Sequence, residues 1–189
     1  MTANESERDE RRTDTREQIR TLALELFAER GYDGTSLREI AERLGITKAA
    51  VYYHFRTKEQ ILASLIGDFF AEIDALVCWA QQQPAIPATR EQVLRRYQAL
   101  LSERTTQLAQ FLQEGQTALR DIASGDELRS RFARLADLLA DPGDLIAARL
   151  RARLALVALH MGATAGQRLN TPDQQTREAA LRIALDLIA

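Results

Sequence analysis

The sequence predicts an all-α fold for this chain of 189 residues. Apolar residues recur at spacings of three and four along most of its length, which is the period of an amphipathic helix. Before several of these stretches a serine or threonine is followed three residues later by a glutamate or glutamine, a pattern typical of helix starts. No segment of useful length alternates apolar and polar residues as a strand does. We therefore expect helices joined by short turns.

The first helix is predicted to begin at Thr15 and to stop at Gly31. Thr15 and Gln18 form a capping pattern, and glycine is a frequent terminator of helices. The apolar residues between them, spaced as one helical face, are Ile19, Leu22, Ala23, Leu26 and Phe27. The residues before Thr15 are charged and polar, so residues 1–14 are predicted to form a disordered tail.

A second and a third helix follow closely. Ser36 and Glu39 can form a capping box, in which the serine accepts a first-turn amide hydrogen and the glutamate reaches back. This predicts a helix start near Leu37, and Gly45 then permits the left-handed conformation that ends a helix. Thr47 is placed to cap the third helix. Two short helices so closely spaced are typical of a helix-turn-helix pair.

The third helix has an outward face that suits binding better than packing. Its inward residues are Val51 and Phe55, and the residues that point outward are Lys48, Ala49, Tyr52 and Tyr53. Tyrosine hydroxyls beside a lysine ammonium suit DNA phosphates, because both groups donate hydrogen bonds to phosphate oxygens. Residues 46–58 contain three lysines or arginines and no acid, whereas the whole chain has a net charge of −2. The pattern favours a small, local DNA-binding surface.

The motifs of this region are, in order, Thr35-Ser36, Ile40-Ala41, Leu44-Gly45, Tyr52-x-His54-Phe55 and Lys58-Glu59. Spaced as they are behind an amphipathic first helix, they make residues 15–66 resemble the amino-terminal DNA-binding domain of TetR-family transcriptional repressors. The resemblance implies a three-helix helix-turn-helix DNA-binding head at 15–56 and a helical-bundle ligand-binding and dimerisation domain at 57–189. It also implies a cytoplasmic repressor that binds a palindromic double-stranded DNA operator as a homodimer and is released by a small, largely apolar effector.

The resemblance further implies which residues contact DNA. They are Ser36, Arg38, Thr47, Lys48, Ala49, Tyr52, Tyr53, His54 and Lys58. Ala49 keeps a close approach to DNA possible, whereas Ala50 lacks the polar side chain of some family members, so one potential base contact is missing. Two alternatives stay open. Tyr52 and Tyr53 can instead cover the first helix, and His54 can instead cap the third.

Beyond the head the sequence predicts further helices separated by short breaks. The predicted ranges are 57–82, a helix that begins at Thr89, 105–123, 126–140, 144–168 and 172–188. The resemblance implies an effector cavity among the middle helices. The candidate lining residues are Phe69, Phe70, Trp79, Tyr97, Phe111, Gln116, His160 and Met161. Each of them is also compatible with ordinary core packing, and His160 with a hydrogen-bonded core histidine.

The last two helices favour a dimer. The final helix carries apolar residues over a surface too wide for one neighbouring helix to cover, and the helix before it contains small residues that permit close approach. The candidate interface residues are Ala158, Gly162, Ala165, Leu181, Ala184, Leu185 and Ile188. The alternative is that both helices are buried within one subunit. A two-fold dimer would set its two reading helices about 34–36 Å apart on DNA.

Composition and motifs favour a cytoplasmic binding protein over other classes. The charged start does not resemble a secretion signal, no uncharged stretch reaches the roughly 18 residues of a membrane span, and the single cysteine, Cys78, fits a reducing compartment. Two histidines, one cysteine and no glycine-rich loop predict no catalytic residue, metal or cofactor. The rival function is a ligand-binding helical bundle without specific DNA affinity. Arg8, Arg11 and Arg12 of the tail are candidates for a minor-groove contact.

Overall fold

The computed structural model describes the backbone of residues 3–114, 125–140, 146–164 and 171–189 and the side chains of 13–102, 126–140, 146–163 and 171–189. Within these ranges the chain forms eight α-helices and no strand, which confirms the predicted all-α fold. The helices are α1 (Ala3–Arg30), α2 (Leu37–Leu44), α3 (Lys48–His54), α4 (Lys58–Gln81), α5 (Pro87–Glu114), α6 (Gly125–Leu139), α7 (Ala147–Thr164) and α8 (Asp173–Ile188). None of the described helices is both long and apolar enough to cross a membrane.

Helix α1 begins at Ala3, so the predicted start at Thr15 is wrong, and residues 3–14 are helical rather than disordered. Thr15 lies inside α1, where the side-chain amide of Gln18 donates to the carboxylate of Asp14 with 3.0 Å between the two atoms. Side-chain hydrogen bonds over four residues stabilise a helix. Glutamate and arginine, which are frequent before Thr15, also have high helix propensity. The charged start therefore extends the helix.

Helix α5 differs from the sequence prediction in its start and in its length. It begins at Pro87 instead of Thr89, because proline suits the first helical position, where its missing N–H has no partner to lose. The Thr89 hydroxyl donates to the Pro84 carbonyl, with 2.7 Å between the two oxygens. The helix then continues without a break to Glu114, whereas the sequence predicts a new helix from residue 105.

The described residues divide into two compact units, one holding the residues up to Ile66 and the other most of those from Gly67 onward. The largest buried side chains of the first unit are Ile19, Leu26, Phe27, Ile40, Val51, Phe55, Ile61 and Leu62. Those of the second unit include Ile73, Val77, Leu94, Tyr97, Leu135, Leu156 and Leu159. Each unit thus buries one apolar face of each of its helices, as a helical domain must. Helix α4 contributes residues to both units.

Helices α7 and α8 approach each other closely within the second unit. A Cβ atom added at Gly162 would lie 2.3 Å from the Cβ of Ala180, which is far inside the contact distance of two carbon atoms. Ala180 and Ala184 are themselves buried. Small residues therefore let these two helices of one chain pack side by side.

Candidate nucleic-acid interface

The turn between α2 and α3 is built by the local signals in the sequence. The Ser36 hydroxyl accepts from the Glu39 amide at 3.1 Å, and the Thr47 hydroxyl accepts from the Ala50 amide at 3.2 Å. Gly45 adopts the left-handed conformation with φ of 66°. The predicted starts of α2 and α3 and the predicted end of α2 are thus confirmed. A capping side chain of this kind contributes about 1 kcal/mol to stability.

Glu39 does not complete the predicted capping box. Its carboxylate forms a hydrogen-bonded ion pair with Arg30 at the end of α1. The contact joins α1 to α2, because the two residues lie on the two helices. The Ser36 half of the box alone caps α2.

Helix α3 presents two tyrosines to solvent. Tyr52 is 42% exposed and Tyr53 67% exposed, whereas Val51 and Phe55 are buried. The alternative that these tyrosines cover α1 is therefore wrong. The Lys48 ammonium lies 5.3 Å above the centre of the Tyr52 ring, within the range of a cation–π contact. Lys48 and both phenols thus stand together on the exposed side of this helix.

His54 and Ala49 lie on the same short helix. His54 is half-buried, and its ring meets the edge of the Tyr53 ring with 5.2 Å between centroids. Ala49 is exposed and leaves the surface of α3 open between the longer side chains. The predicted contact residues of α3 are therefore all exposed or half-buried.

Lys58 is held by a residue that the sequence motifs do not identify, Tyr32. The Lys58 ammonium donates to the Tyr32 carbonyl at 2.5 Å and lies 4.3 Å from the centre of its ring. The Tyr32 hydroxyl donates to the Glu59 carboxylate at 2.7 Å. Burial raises the pKa of Tyr32 above its ordinary value, and the hydrogen bond from Tyr32 lowers the pKa of Glu59. These contacts tie the turn after α1 to the start of α4.

Arg38 lies on the exposed side of α2 and is paired within its own helix. Its Nε donates to the Glu42 carboxylate at 2.7 Å, and this hydrogen bond raises the pKa of Arg38. Both side chains are largely exposed. Exposed ion pairs contribute little to stability, so the guanidinium can exchange Glu42 for another acceptor at low cost.

In the second unit, Tyr97 and His160 form a polar pair in which Tyr97 is buried and His160 half-buried. Nδ1 of His160 lies 3.0 Å from the Leu156 carbonyl, which can only accept, so Nδ1 carries the proton. Nε2 then accepts from the Tyr97 hydroxyl at 3.3 Å. Burial lowers the pKa of His160 and raises that of Tyr97. His160 is thus the hydrogen-bonded core histidine that the sequence leaves open as an alternative.

We expect acid to destabilise the second unit through His160. Because its folded pKa is lowered, the unfolded chain binds a proton that the folded chain excludes. The stabilisation is complete above the unfolded pKa of about 6.5 and is lost as the pH falls from there through the folded pKa. Urea unfolding at several pH values should show a shallower pH dependence for His160→Gln over this window. Tyr97→Phe keeps the burial of the ring but removes the hydrogen bond that neutral Nε2 accepts, so its slope should lie between those of the wild type and of His160→Gln. An unchanged slope in His160→Gln would contradict this assignment.

The other effector candidates that the structure describes have different surroundings. Trp79 is covered by the Arg96 guanidinium at 3.8 Å, and Phe70 by that of Arg131 at 4.3 Å. Phe69 is half-buried beside Phe70, and Met161 is 62% exposed. Gln116 and the side chain of Phe111 lie outside the described residues.

A groove lies instead between α6 and α7. Its volume is about 430 Å³, and its lining residues are Leu128, Arg129, Phe132, Ala133, Arg153 and Val157. None of the described effector candidates lines it, but the Phe132 ring lies 4.8 Å from the ring of His160. The sequence analysis missed this groove, because the amphipathic pattern of α6 predicts a helix and does not show that a cavity lies beside it.

The candidate dimer residues are divided between buried and partly exposed positions. Gly162 and Ala184 lie in the contact of α7 with α8 within one chain. Ala158, Leu181, Leu185 and Ile188 are half-buried, and Ala165 lies outside the described residues. The large apolar residues exposed on these helices or just before them are Ile146, Leu150, Leu154, Val157, Met161 and Ile183.

Comparison with known proteins agrees with this architecture. Residues 19–65 match the family model described as bacterial regulatory proteins, tetR family. The transcriptional repressor KstR2 of Mycolicibacterium smegmatis is 39% identical over 54 residues, which are 29% of this chain and 26% of that protein. IcaR, the negative transcriptional regulator of the biofilm operon icaADBC in Staphylococcus aureus, is 38% identical over 61 residues, 32% of this chain and 33% of that protein.

The fold is similar to solved structures over almost its whole length. A transcriptional regulator from Aquifex aeolicus has a TM-score of 0.73 and 24% identity, covering 93% of this chain and 99% of that one. In sequence, by contrast, the chain spans only about a quarter to a third of the curated relatives it matches. A helix-turn-helix head followed by a helical unit defines a class of bacterial regulators. Residues 19–65 are thus similar to the DNA-binding region of the tetR family, and the helical fold of the chain as a whole is similar to that of solved regulators.

Proposed function

We propose that this chain is a DNA-binding transcriptional regulator of the cytoplasm, and that it represses by binding a palindromic operator as a homodimer. The observation that carries the proposal is the surface of α3, where Lys48, Tyr52 and Tyr53 are exposed while Val51 and Phe55 are buried. The exposed hydroxyls of the two tyrosines are available to donate hydrogen bonds to the oxygens of a phosphate backbone. Helix α3 is thus the reading helix, which enters the major groove.

The caps of the two helices add donors to this surface. The hydroxyls of Ser36 and Thr47 accept backbone amides, which leaves each O–H to donate to a phosphate oxygen. Arg38 reaches a base when it leaves Glu42, and Ala49 offers its methyl group to a thymine. The Lys58 ammonium donates one of its three hydrogens to the Tyr32 carbonyl, which leaves two for DNA phosphates. His54 is the other residue of this region that we assign to the DNA backbone.

The proposed dimer interface lies on α7 and α8. Leu150, Leu154, Val157 and Met161 follow one another at spacings of four and three residues, so they form one stripe along α7. The stripe is opposite the buried face of α7 that carries Ala152 and Leu159. A helix that is apolar on two faces needs two partners. A second copy of the chain covers Leu150, Leu154 and Met161 of this stripe, leaves Val157 to the groove between α6 and α7, and presents a second head to the next turn of DNA.

Release by a small effector is supported by the contacts of α6 with α4. Arg131 and Arg134 of α6 both bind the carboxylate of Asp74 on α4, at 3.0 and 2.8 Å. The Arg131 guanidinium also stacks on Phe70 of α4. A ligand that displaces α6 would therefore displace α4, the helix that begins in the head unit.

Binding to duplex DNA over a series of salt concentrations tests this function. We expect the logarithm of the binding constant to fall linearly with the logarithm of the salt concentration, because the lysines that bind phosphates release the counterions held there. The rival, a ligand-binding bundle without DNA affinity, predicts no retention of duplex DNA even at low salt. Binding that ignores salt would also contradict the proposal, since it would not involve phosphates.

A further inference from the structure

The groove between α6 and α7 combines an apolar interior with two cationic residues. Its apolar lining is supplied by Leu128, Phe132, Ala133 and Val157, and the two remaining lining residues are Arg129 and Arg153. Its volume of about 430 Å³ lies within the range of about 300–1,000 Å³ that small-molecule sites occupy. No acid is among its lining residues in the part of the chain that the structure describes.

Both arginines are available to an incoming anion. Arg129 pairs with Asp126 at 2.6 Å, but both side chains are exposed, and an exposed pair of this kind is readily exchanged. Arg153 is exposed and forms no ion pair with the residues that the structure describes. The planar guanidinium group of arginine matches a carboxylate with two parallel hydrogen bonds.

We propose that this groove binds an amphipathic anion, a monocarboxylate with an extended apolar chain. The carboxylate binds Arg129 and Arg153, and the chain lies along Phe132, Ala133 and Val157. The inference deepens the proposed function and rests on it in one respect, namely that the bound anion is the effector that weakens DNA binding. Phe132 is adjacent in sequence to Arg131, so the ligand contacts α6 next to its ion pair with Asp74 of α4.

Calorimetric titration of the full chain with decanoate and with decanol, both below the concentrations at which they aggregate, tests the site. The two probes share their apolar chain and differ in charge. We expect decanoate to bind at least about tenfold more tightly, which corresponds to about 1.4 kcal/mol. Arg153→Gln and Arg129→Gln should each remove most of this preference and leave decanol binding unchanged. Arg151→Gln, on the same helix but outside the groove lining, is the matched control and should bind both probes as the wild type does.

Several results would overturn the site. One is equal binding of decanoate and decanol, and another is a loss in Arg151→Gln as large as in Arg153→Gln. Absence of binding by either probe would also overturn it and would leave the groove to a second copy of the chain, whose proposed interface lies next to it on α7. Ala133→Phe fills the groove and should abolish binding of both probes while circular dichroism shows unchanged helicity. Retained decanoate binding in that folded variant places the ligand elsewhere.

Failure of this inference can be told apart from failure of the proposed function. If DNA binding is salt-dependent but decanoate has no arginine-dependent site, the regulator remains and only the ligand assignment is lost. If decanoate binds with the expected arginine dependence and duplex DNA is not retained, the site stands and the regulatory function is lost. If both hold, decanoate should weaken DNA binding in the wild type and have a much smaller effect on Arg153→Gln.

Discussion

Leu154→Asp is expected to separate the proposed dimer into monomers and to weaken binding to a palindromic operator about a hundredfold or more. Linking two heads raises the affinity of the pair over that of one head by a factor of about 10²–10⁴, and this gain is lost when the heads separate. Leu154 is exposed on the α7 stripe beside Leu150, so an aspartate there is solvated in the monomer but is buried without a partner in the dimer. Sedimentation velocity measures the first effect, and titration of an operator duplex measures the second.

Ile86→Asp provides the control for this substitution. Ile86 is also a large exposed apolar residue of the second unit, but it directly precedes α5 and is not part of the α7 stripe. The Ile86→Asp protein should have the same oligomeric state and the same affinity for DNA as the wild type. Circular dichroism should show the same helicity for both variants. A dimeric Leu154→Asp protein would mean that the subunits associate through another surface.

The head could be predicted in detail because its signals are local. Ser36 and Thr47 each bond an amide three residues away, and Gly45 ends α2 by its own backbone conformation. Such contacts depend only on sequence spacing. The same capping pattern did not mark a helix start at Thr15 or Thr89, because α1 begins at Ala3 and α5 at Pro87, upstream of these threonines. A capping pattern therefore shows where a helix can begin, and the upstream residues decide whether it does.

Contacts between distant residues were beyond the reach of the sequence. Lys58 meets Tyr32 across 26 positions, and no spacing rule connects them. On α7 the difficulty was different. The residues from 154 to 163 are apolar or small all round the helix apart from His160, so periodicity cannot say which face meets α8 and which remains exposed. The sequence predicts Gly162 and Ala184 as dimer contacts because they are small. In the structure Gly162 packs against α8 of the same chain, and Ala184 of α8 is buried.

Lys48→Ala is expected to weaken binding of every duplex by a similar factor and to reduce its salt dependence. Each phosphate contact contributes about 0.9 to the slope of the logarithm of the binding constant against the logarithm of salt. A dimer that carries one Lys48 in each head should therefore lose about two units of slope. Because Lys48 is exposed above the Tyr52 ring, its removal should leave the stability of the head nearly unchanged. Salt titration of an operator duplex and of an unrelated duplex measures both properties.

Two matched variants show whether this effect belongs to the position or to any lost charge. Arg95→Ala removes an exposed cation of α5 that pairs with Glu91, and it should leave the slope at the wild-type value. Lys58→Ala should lower the slope less than Lys48→Ala does, but it should also lower the melting temperature, since its ammonium holds the Tyr32 carbonyl. Lys48→Ala could instead weaken binding to the operator duplex alone and leave the salt slope unchanged. Lys48 would then contact a base edge rather than a phosphate, because base contacts give sequence preference and phosphate contacts give salt dependence.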